Sequence, residues 1–333
     1  MSAAPDTANR FVPSAYLHTR TRWHPLEIVF WLSTLLPFIL VPDYLQLASQ
    51  VAIAALFAIS LDLILGYAGI VSIGHAAYFG LGAYTAGIVS KYGIVEPVIL
   101  LVLGAAVAGV VGYATSFIIA RFRHLALIMI TLGICLLLYE TANLAGRLTG
   151  GADGLQGIKI GPLLGTFKFD LYGKTAYAYS LIVLFLCFLV ARRVIHSPFG
   201  LSLRGIRENA IRMPAIGASS EAHIRKIYTI AAVIAGIAGA VLAQTTSTVS
   251  LEVLGFQRSA DVLVMLILGG AGKLYGGILG SIVYLVARDQ FSGINPQYWY
   301  FWIGLMMVLV VMYLPNGLLG GLASLTARWR KPS

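Results

Sequence analysis

Residues 97–120 read PVILLVLGAAVAGVVGYATSFIIA, and no charged side chain interrupts them. A hydrocarbon core of about 30 Å is crossed by about 20 helical residues, so this run is long enough to span it. Similar runs occupy 26–42, 45–65, 75–90, 125–145, 176–191, 227–245 and 298–315. The composition agrees: of 333 residues 59% are hydrophobic and 11% charged, with a mean hydropathy of +0.85, which excludes a water-soluble domain. Lipid offers the backbone no hydrogen bonds, so spanning segments are helices or closed barrels, and no succession of short alternating segments suggests a barrel. The expected fold is therefore all-α, a polytopic transmembrane helical bundle of about 8–10 spans with Gly-broken helices.

Residues 259–290 are apolar but broken by GGAGKLYGG at 269–277, and read either as one interrupted helix or as two short segments joined by a glycine turn. Charge favours two crossings. With the polar arm 1–25 (Arg10, Arg20, Arg22) cytoplasmic, that count also brings Arg121–His124, the basic island 192–227, Lys273 and the tail 318–333 (Arg328, Arg330, Lys331) inside. Most of the 23 Lys and Arg then lie on the cytoplasmic side, as the positive-inside rule requires. The net charge of +10 is explained by membrane lipids, whose anionic headgroups meet basic loops, and nucleic acid is not implicated. The membrane domain covers 26–317, and its first span reads as an uncleaved anchor, because no small-x-small cleavage site follows it.

Catalytic chemistry is not visible. Of the six histidines only His75 has a membrane context, and no HExxH or paired-ligand spacing surrounds it. Cys135 and Cys187 fall inside apolar runs and read as small packing residues rather than as a disulfide or a metal pair. A phosphate loop would need a glycine five residues before Gly272 and Ser or Thr after Lys273, yet those positions hold Ile267 and Leu274. No cofactor is implied, and any use of ATP must come from another subunit.

Two glycine-dense segments stand out, GYAGIVSIGHAAYFGLGAYTAG at 66–87 and GGAGKLYGGILG at 269–280, one in each half of the chain. Glycine inside the membrane lets backbones approach and permits unwound chain where a helix lines a cavity, as in transporters built from internal repeats. Asp62, Gly66, Gly69, Ser72, Gly74, His75, Gly269, Gly270 and Gly272 are the candidate pathway and hinge positions, with tight helix packing as the alternative reading. Glu140, Asn143 and Arg147 share one helical stripe, which either faces the bundle interior or a vestibule, because a charge in lipid is costly, or forms an interfacial hydrogen-bonded cluster with Arg147 snorkelling. Outside, Gly150, Gly151, Asp153 and Gly154 of LTGGADGLQG (148–157) favour turns, in a loop that either receives an external partner or only connects helices.

The island RRVIHSPFGLSLRGIRENAIRMPAIGASSEAHIRKI (192–227) carries its own helix signal. Ser197-Pro198 is an N-cap followed by a first-turn proline, and Pro214 forbids continuation past Met213. Leu203, Ile206, Ala210 and Met213 share an apolar face, while Arg204, Glu208 and Arg212 follow i, i+4, i+8 spacing on the other. Such a helix suits a cytoplasmic docking partner or the membrane surface.

GYAGIVSIGHAAYFGLGAYTA, LTGGADGL, LRGIRENAIRMPAIG, IAGIAGAVLA and LGGAGKLYGGILG, in this order, resemble the permease subunits of bacterial branched-chain amino acid ABC importers over most of 50–317. The resemblance implies two ATPase subunits, a second permease subunit (a paralogue or a second copy), and a periplasmic or lipid-anchored substrate-binding protein. It also implies a multi-pass bacterial inner-membrane location with both termini cytoplasmic. Arg204, Arg207, Glu208, Asn209, Arg212 and Gly217 become the candidate ATPase-coupling residues. The chain departs from the family pattern at Asp62, where Asn is usual, at Lys273, Gly277 and Met213-Pro214, which bears on substrate identity. Urea or short-chain amide transport stays open, as does an ion-coupled secondary carrier using Asp62 and Glu140.

Overall fold

The computed structural model describes residues 25–321 apart from 164, 166, 168, 171, 172 and 315. The N-terminal arm and the basic tail, with Arg10, Arg20, Arg22, Arg328, Arg330 and Lys331, lie outside the described residues. Eleven principal helices follow: α1 Pro25–Ser33, α2 Leu45–Asp62, α3 Ala76–Lys91, α4 Pro97–Ile119, α5 His124–Leu144, α6 Lys174–Ile195, α7 Pro198–Asn209, α8 Ser220–Thr246, α9 Phe256–Gly269, α10 Leu274–Ile294 and α11 Trp299–Tyr313. Extended pairing among the described residues is limited to two isolated bridges, Leu155–Val249 and Leu163–Phe167.

Among the described residues six helices are long and apolar enough to cross a membrane, or seven if the bent pair α9–α10 makes one span. This is fewer than the eight to ten apolar runs of the sequence, for three physical reasons. The run 26–42 is not one straight helix, because Pro37 and Pro42 lack the N–H that would continue it, and the chain turns at 34–36. The run nevertheless follows α6 from end to end: Glu27 pairs with Arg192 at 2.5 Å, and Tyr177 Oη donates to the Thr34 carbonyl at 2.6 Å. The helix of 75–90 has 16 residues, short of a full crossing, and is entered through a non-helical stretch, 68–75, that runs back into the bundle. The run 259–290 is a helix–turn–helix, bent by 112° at the glycine break.

α8 is the central pillar and is mostly buried, as is α2, whereas α5 and α11 bury less than a fifth of their spans. Small residues make the centre possible. A Cβ on Gly82 of α3 would overlap the carbonyl of Gly236 of α8, and one on Gly239 would overlap the carbonyl of Phe79. Backbone therefore rests on backbone, which recovers dispersion energy that lipid-facing Leu would not.

One end of the bundle gathers the island, the C-terminal end of α2 and the α9–α10 turn; Arg225 at the start of α8 stacks on Phe117 near the end of α4. The opposite end carries Gln244 donating to the Pro97 carbonyl at 3.0 Å and Leu155 bridged to Val249. The basic turn at Arg121–Arg123 and the island thus share one end, the arrangement that the charge rule requires.

Gly239→Leu is expected to cost more than the about 1–3 kcal/mol usual for overpacking, because backbone cannot yield to it. Fluorescence-detected size exclusion after heating should show a lowered melting point, with Gly133→Ala and Gly304→Ala, where nothing lies within 4 Å, unchanged.

Candidate functional site

α7 starts as its residues dictate. Ser197 caps it by accepting from Gly200 N at 3.3 Å, and Pro198 takes the first position. It ends at Asn209, earlier than the expected stop at Met213, because the Asn209 carboxamide accepts from Ile211 N and Arg212 N, both at 3.2 Å, and turns the chain. Met213–Ile216 continues as a 3-10 turn closed by Gly217 at φ +87°. Leu203 and Ile206 are buried, with Ala210 and Met213 packed against the core, so the apolar face lies against the bundle.

The candidate coupling residues divide between two directions. Arg207 turns inward and donates to the carbonyl of Gly66, its stem crossing Gly69, where a Cβ would come within 2.8 Å of Cγ and the backbone has φ +72°. Arg204 lies over the Tyr67 ring at 5.3 Å. Glu208, Asn209, Arg212 and Gly217 are exposed, and Glu208 stands one helical turn beyond Arg204 on the same side.

The inner groups converge on one junction. α2 ends in a π turn, Leu63–Tyr67, and the α9–α10 turn passes beside it. Asp62 is fully buried, and its Oδ1 accepts from Gly272 N at 2.6 Å. Gly66 and Gly272 touch so closely that a Cβ on Gly66 would overlap both Asp62 Oδ1 and the Gly272 backbone. Gly269 and Gly270 lie beside Gly276 and Asn316, where side chains would collide with carbonyls. Arg207 and Asp62 do not form an ion pair; each holds the backbone of a different broken segment, which joins α7, α2 and the α9–α10 turn in one cluster.

Deeper in, the stretch 68–75 ends at a buried plug. Ser72 and His75 are buried, and Gly74 lies against the Thr131 carbonyl of α5. His75 Nε2 meets Ser60 Oγ at 3.0 Å, and Ser60 already donates to the Phe57 carbonyl at 2.6 Å, so Nε2 is the donor of this bond. The ring stacks on Phe57 at 5.7 Å and meets the edges of Tyr78 and Tyr228. Beside it, Ala76 N at the start of α3 donates to Ser259 Oγ of α9 at 2.9 Å, and Cys135 Sγ approaches the Leu254 carbonyl at 3.1 Å. Two short helices, each entered through irregular chain from opposite ends of the bundle, thus meet at their N-terminal turns.

The Glu140 stripe does not face the bundle interior. Leu127, Thr131, Cys135 and Ala142 form the buried face of α5, and Glu140 and Arg147 are exposed, with Asn143 intermediate. The spacing was right, but the apolar face of α5 competes for the core. The external loop is tied down rather than free: Thr149 Oγ1 donates to the Ala142 carbonyl, Gly150 and Gly154 approach neighbouring backbone, and Leu155 pairs with Val249, leaving Asp153 exposed.

Three charged residues escaped the sequence reading as a group. Arg258, Asp261 and Arg288 line one cavity of about 600 Å³ near the outer ends of α8 and α10. Arg258 and Asp261, three residues apart at the head of an otherwise apolar helix, were the available signal.

A helical membrane bundle with glycine-broken segments clasped by a short amphipathic helix suits a transport permease subunit. The chain belongs to the family described as "Branched-chain amino acid transport system / permease component", whose model matches residues 44–311. It is similar to the high-affinity branched-chain amino acid transport system permease protein LivM of Salmonella typhimurium and to that of Escherichia coli. Each is 28% identical over 309 residues, covering 85% of this chain and 71% of the relative. A probable branched-chain amino acid transport permease protein LivM of Methanocaldococcus jannaschii is 26% identical, covering 79% of this chain and 89% of the relative. No solved structure matches the chain.

Asp62→Ala leaves the Gly272 N–H without its acceptor and is expected to cost about 1–3 kcal/mol, whereas Asp62→Asn keeps a carbonyl oxygen at Oδ1 and should cost less. Melting curves of the purified protein in detergent decide; equal losses for both variants would show that the charge, not the hydrogen bond, holds the junction.

Proposed function

We propose that this chain is the permease subunit of an ATP-driven importer of branched-chain amino acids in a bacterial inner membrane. Its termini lie in the cytoplasm. Two ATPase subunits, a second permease and an external substrate-binding protein complete the assembly, and hydrolysis belongs to the ATPase subunits. The family and its LivM relatives support the substrate class, and the basic cluster at one end supports the orientation. The observation that carries the mechanism is the Arg207 bond to Gly66, which attaches the cytoplasmic helix to the break at the end of α2.

α7 and the turn after it carry two kinds of group, those that contact the bundle and those that stay free. Glu208, Asn209, Arg212 and Gly217 present polar atoms and a left-handed turn to the cytoplasm, where an ATPase groove can take them. Arg207 and Arg204 transmit the motion inward. When α7 shifts, the Gly66 carbonyl moves with Arg207, and Asp62 carries the same displacement to Gly272. The unwound segments 68–75 and 270–273 then act as hinges, and α3 and α9, which end at these segments or begin from them, tilt to alternate access. Residues that are helical on both sides of a break move as rigid units, so a small shift at the junction becomes a larger one at the far end.

In proteoliposomes holding the complete assembly, Arg207→Ala is expected to retain ATPase subunits on co-purification and to lose ATP-driven L-leucine uptake by about tenfold, as about 1.4 kcal/mol of transmitted stabilisation implies. Arg212→Glu should instead weaken co-purification itself. Uptake that persists in Arg207→Ala, or that proceeds in wild type under an ion gradient without ATPase subunits, refutes this reading.

A further inference from the structure

The cavity near the outer end of the bundle is built from parts of five helices, and its two walls differ. Leu136 of α5, Leu242 of α8 and Phe256 of α9 form an apolar side, and Arg258, Asp261 and Arg288 a charged one. Its volume of about 600 Å³ lies within the range of small-molecule sites. The charged wall is at membrane depth: Ser259, next to Arg258, meets the first residue of α3 inside the bundle. Ionisable groups there are costly and mark substrate paths more often than packing.

The three charges are held in place but not consumed. The Arg258 guanidinium lies over the Phe79 ring at 5.6 Å and the Arg288 guanidinium over the Trp299 ring at 5.2 Å. Each ring contact restrains its guanidinium and leaves N–H groups available for a carboxylate. Among the described residues neither arginine forms an ion pair with Asp261 or Glu252. Asp261 accepts from Tyr284 Oη at 2.9 Å, which orients the carboxylate while leaving its other oxygen for a second donor.

We infer that this cavity receives the free zwitterionic α-amino acid on its way across the membrane, with the ligand carboxylate on Arg258 and Arg288, its ammonium at Asp261, and its aliphatic side chain on Leu136, Leu242 and Phe256. The inference rests on the importer reading and adds a site inside the permease to it. A zwitterion offers its carboxylate to the two arginines and its ammonium to Asp261 at once, with the carboxylate of Glu252 on the same cavity, whereas a lone anion or a lone amine meets only one of the two kinds of partner. The apolar side gives a branched hydrocarbon a surface to bury against, while Tyr139, Thr246, Thr248, Ser250, Gln257 and Tyr300 line the rest of the cavity.

The test uses the complete assembly with its external binding protein in proteoliposomes, with radiolabelled L-leucine as probe. Arg258→Gln, Arg288→Gln and Asp261→Asn are each expected to lower uptake by about tenfold to a hundredfold, the range of a lost charge-assisted hydrogen bond. ATP hydrolysis stimulated by the liganded binding protein stays within about twofold of wild type, because the coupling junction is untouched. Arg258→Lys, which keeps the charge and loses the planar fork, should fold normally and retain intermediate uptake. Wild-type uptake in the glutamine and asparagine variants overturns the inference. So does a parallel loss of uptake and hydrolysis in assembled variants, which would make these residues structural, or a loss restored by anionic lipid, which would make them a headgroup site. A failure of the importer reading shows differently, as absence of ATP-driven uptake in the wild-type assembly, and removes the basis of the inference with it.

Discussion

A backbone N–H or C=O left bare in hydrocarbon costs several kcal/mol, roughly the net contribution of several ordinary hydrogen bonds. This chain unwinds at membrane depth in more than one place, and the structure depends on how those groups are satisfied. Ser259 takes the Ala76 N–H, Asp62 takes the Gly272 N–H, and Arg207 covers the Gly66 carbonyl. Each partner comes from a different part of the chain. The unwound segments are therefore stable only while the helices that supply the partners remain in place, and moving one helix changes the balance at the break it serves.

That dependence links packing to transport. The central helices meet backbone to backbone at Gly82–Gly236 and Gly239–Phe79, which makes them a rigid block. Around the block lie the glycine turn at 269–272 and the π turn at 63–67, both held by long side chains rather than by continuous helix. Rigid units joined at satisfied but helix-free points form a mechanism that can change state without exposing backbone to lipid, provided the partners travel together. Arg207 is well suited to this role, since its flexible stem lets the guanidinium keep its acceptor while α7 moves.

Much of this was legible before any fold was known. Apolar run lengths point to most of the helices, the positions of Lys and Arg agree with Arg121–Arg123 and the island sharing one end, and Ser197-Pro198 marks the start of α7 to the residue. The glycine strings pointed to the segments that break. What escaped was direction. Glu140, Asn143 and Arg147 lie on one stripe as the helical period requires, but the period does not say which stripe faces the core, and the Thr131–Cys135 face of α5 takes that place. Arg258 and Asp261 stand at the head of an apolar stretch, and the cavity that unites them with Arg288 of α10 exists only once the chain folds back at 112° between α9 and α10.

The division follows from range. Membrane residence, helicity, the orientation rule and the cap of α7 are set by residues within a few positions of each other, so composition and local spacing decide them. The contacts that hold the unwound segments join residues 141 to 210 positions apart, among them Arg207 with Gly66 and Gly272 with Asp62. No periodicity encodes such a pairing. It arises when the glycine-faced helices come close enough for one side chain to reach another segment's backbone, which makes the coupling junction and the charged cavity properties of the tertiary structure alone.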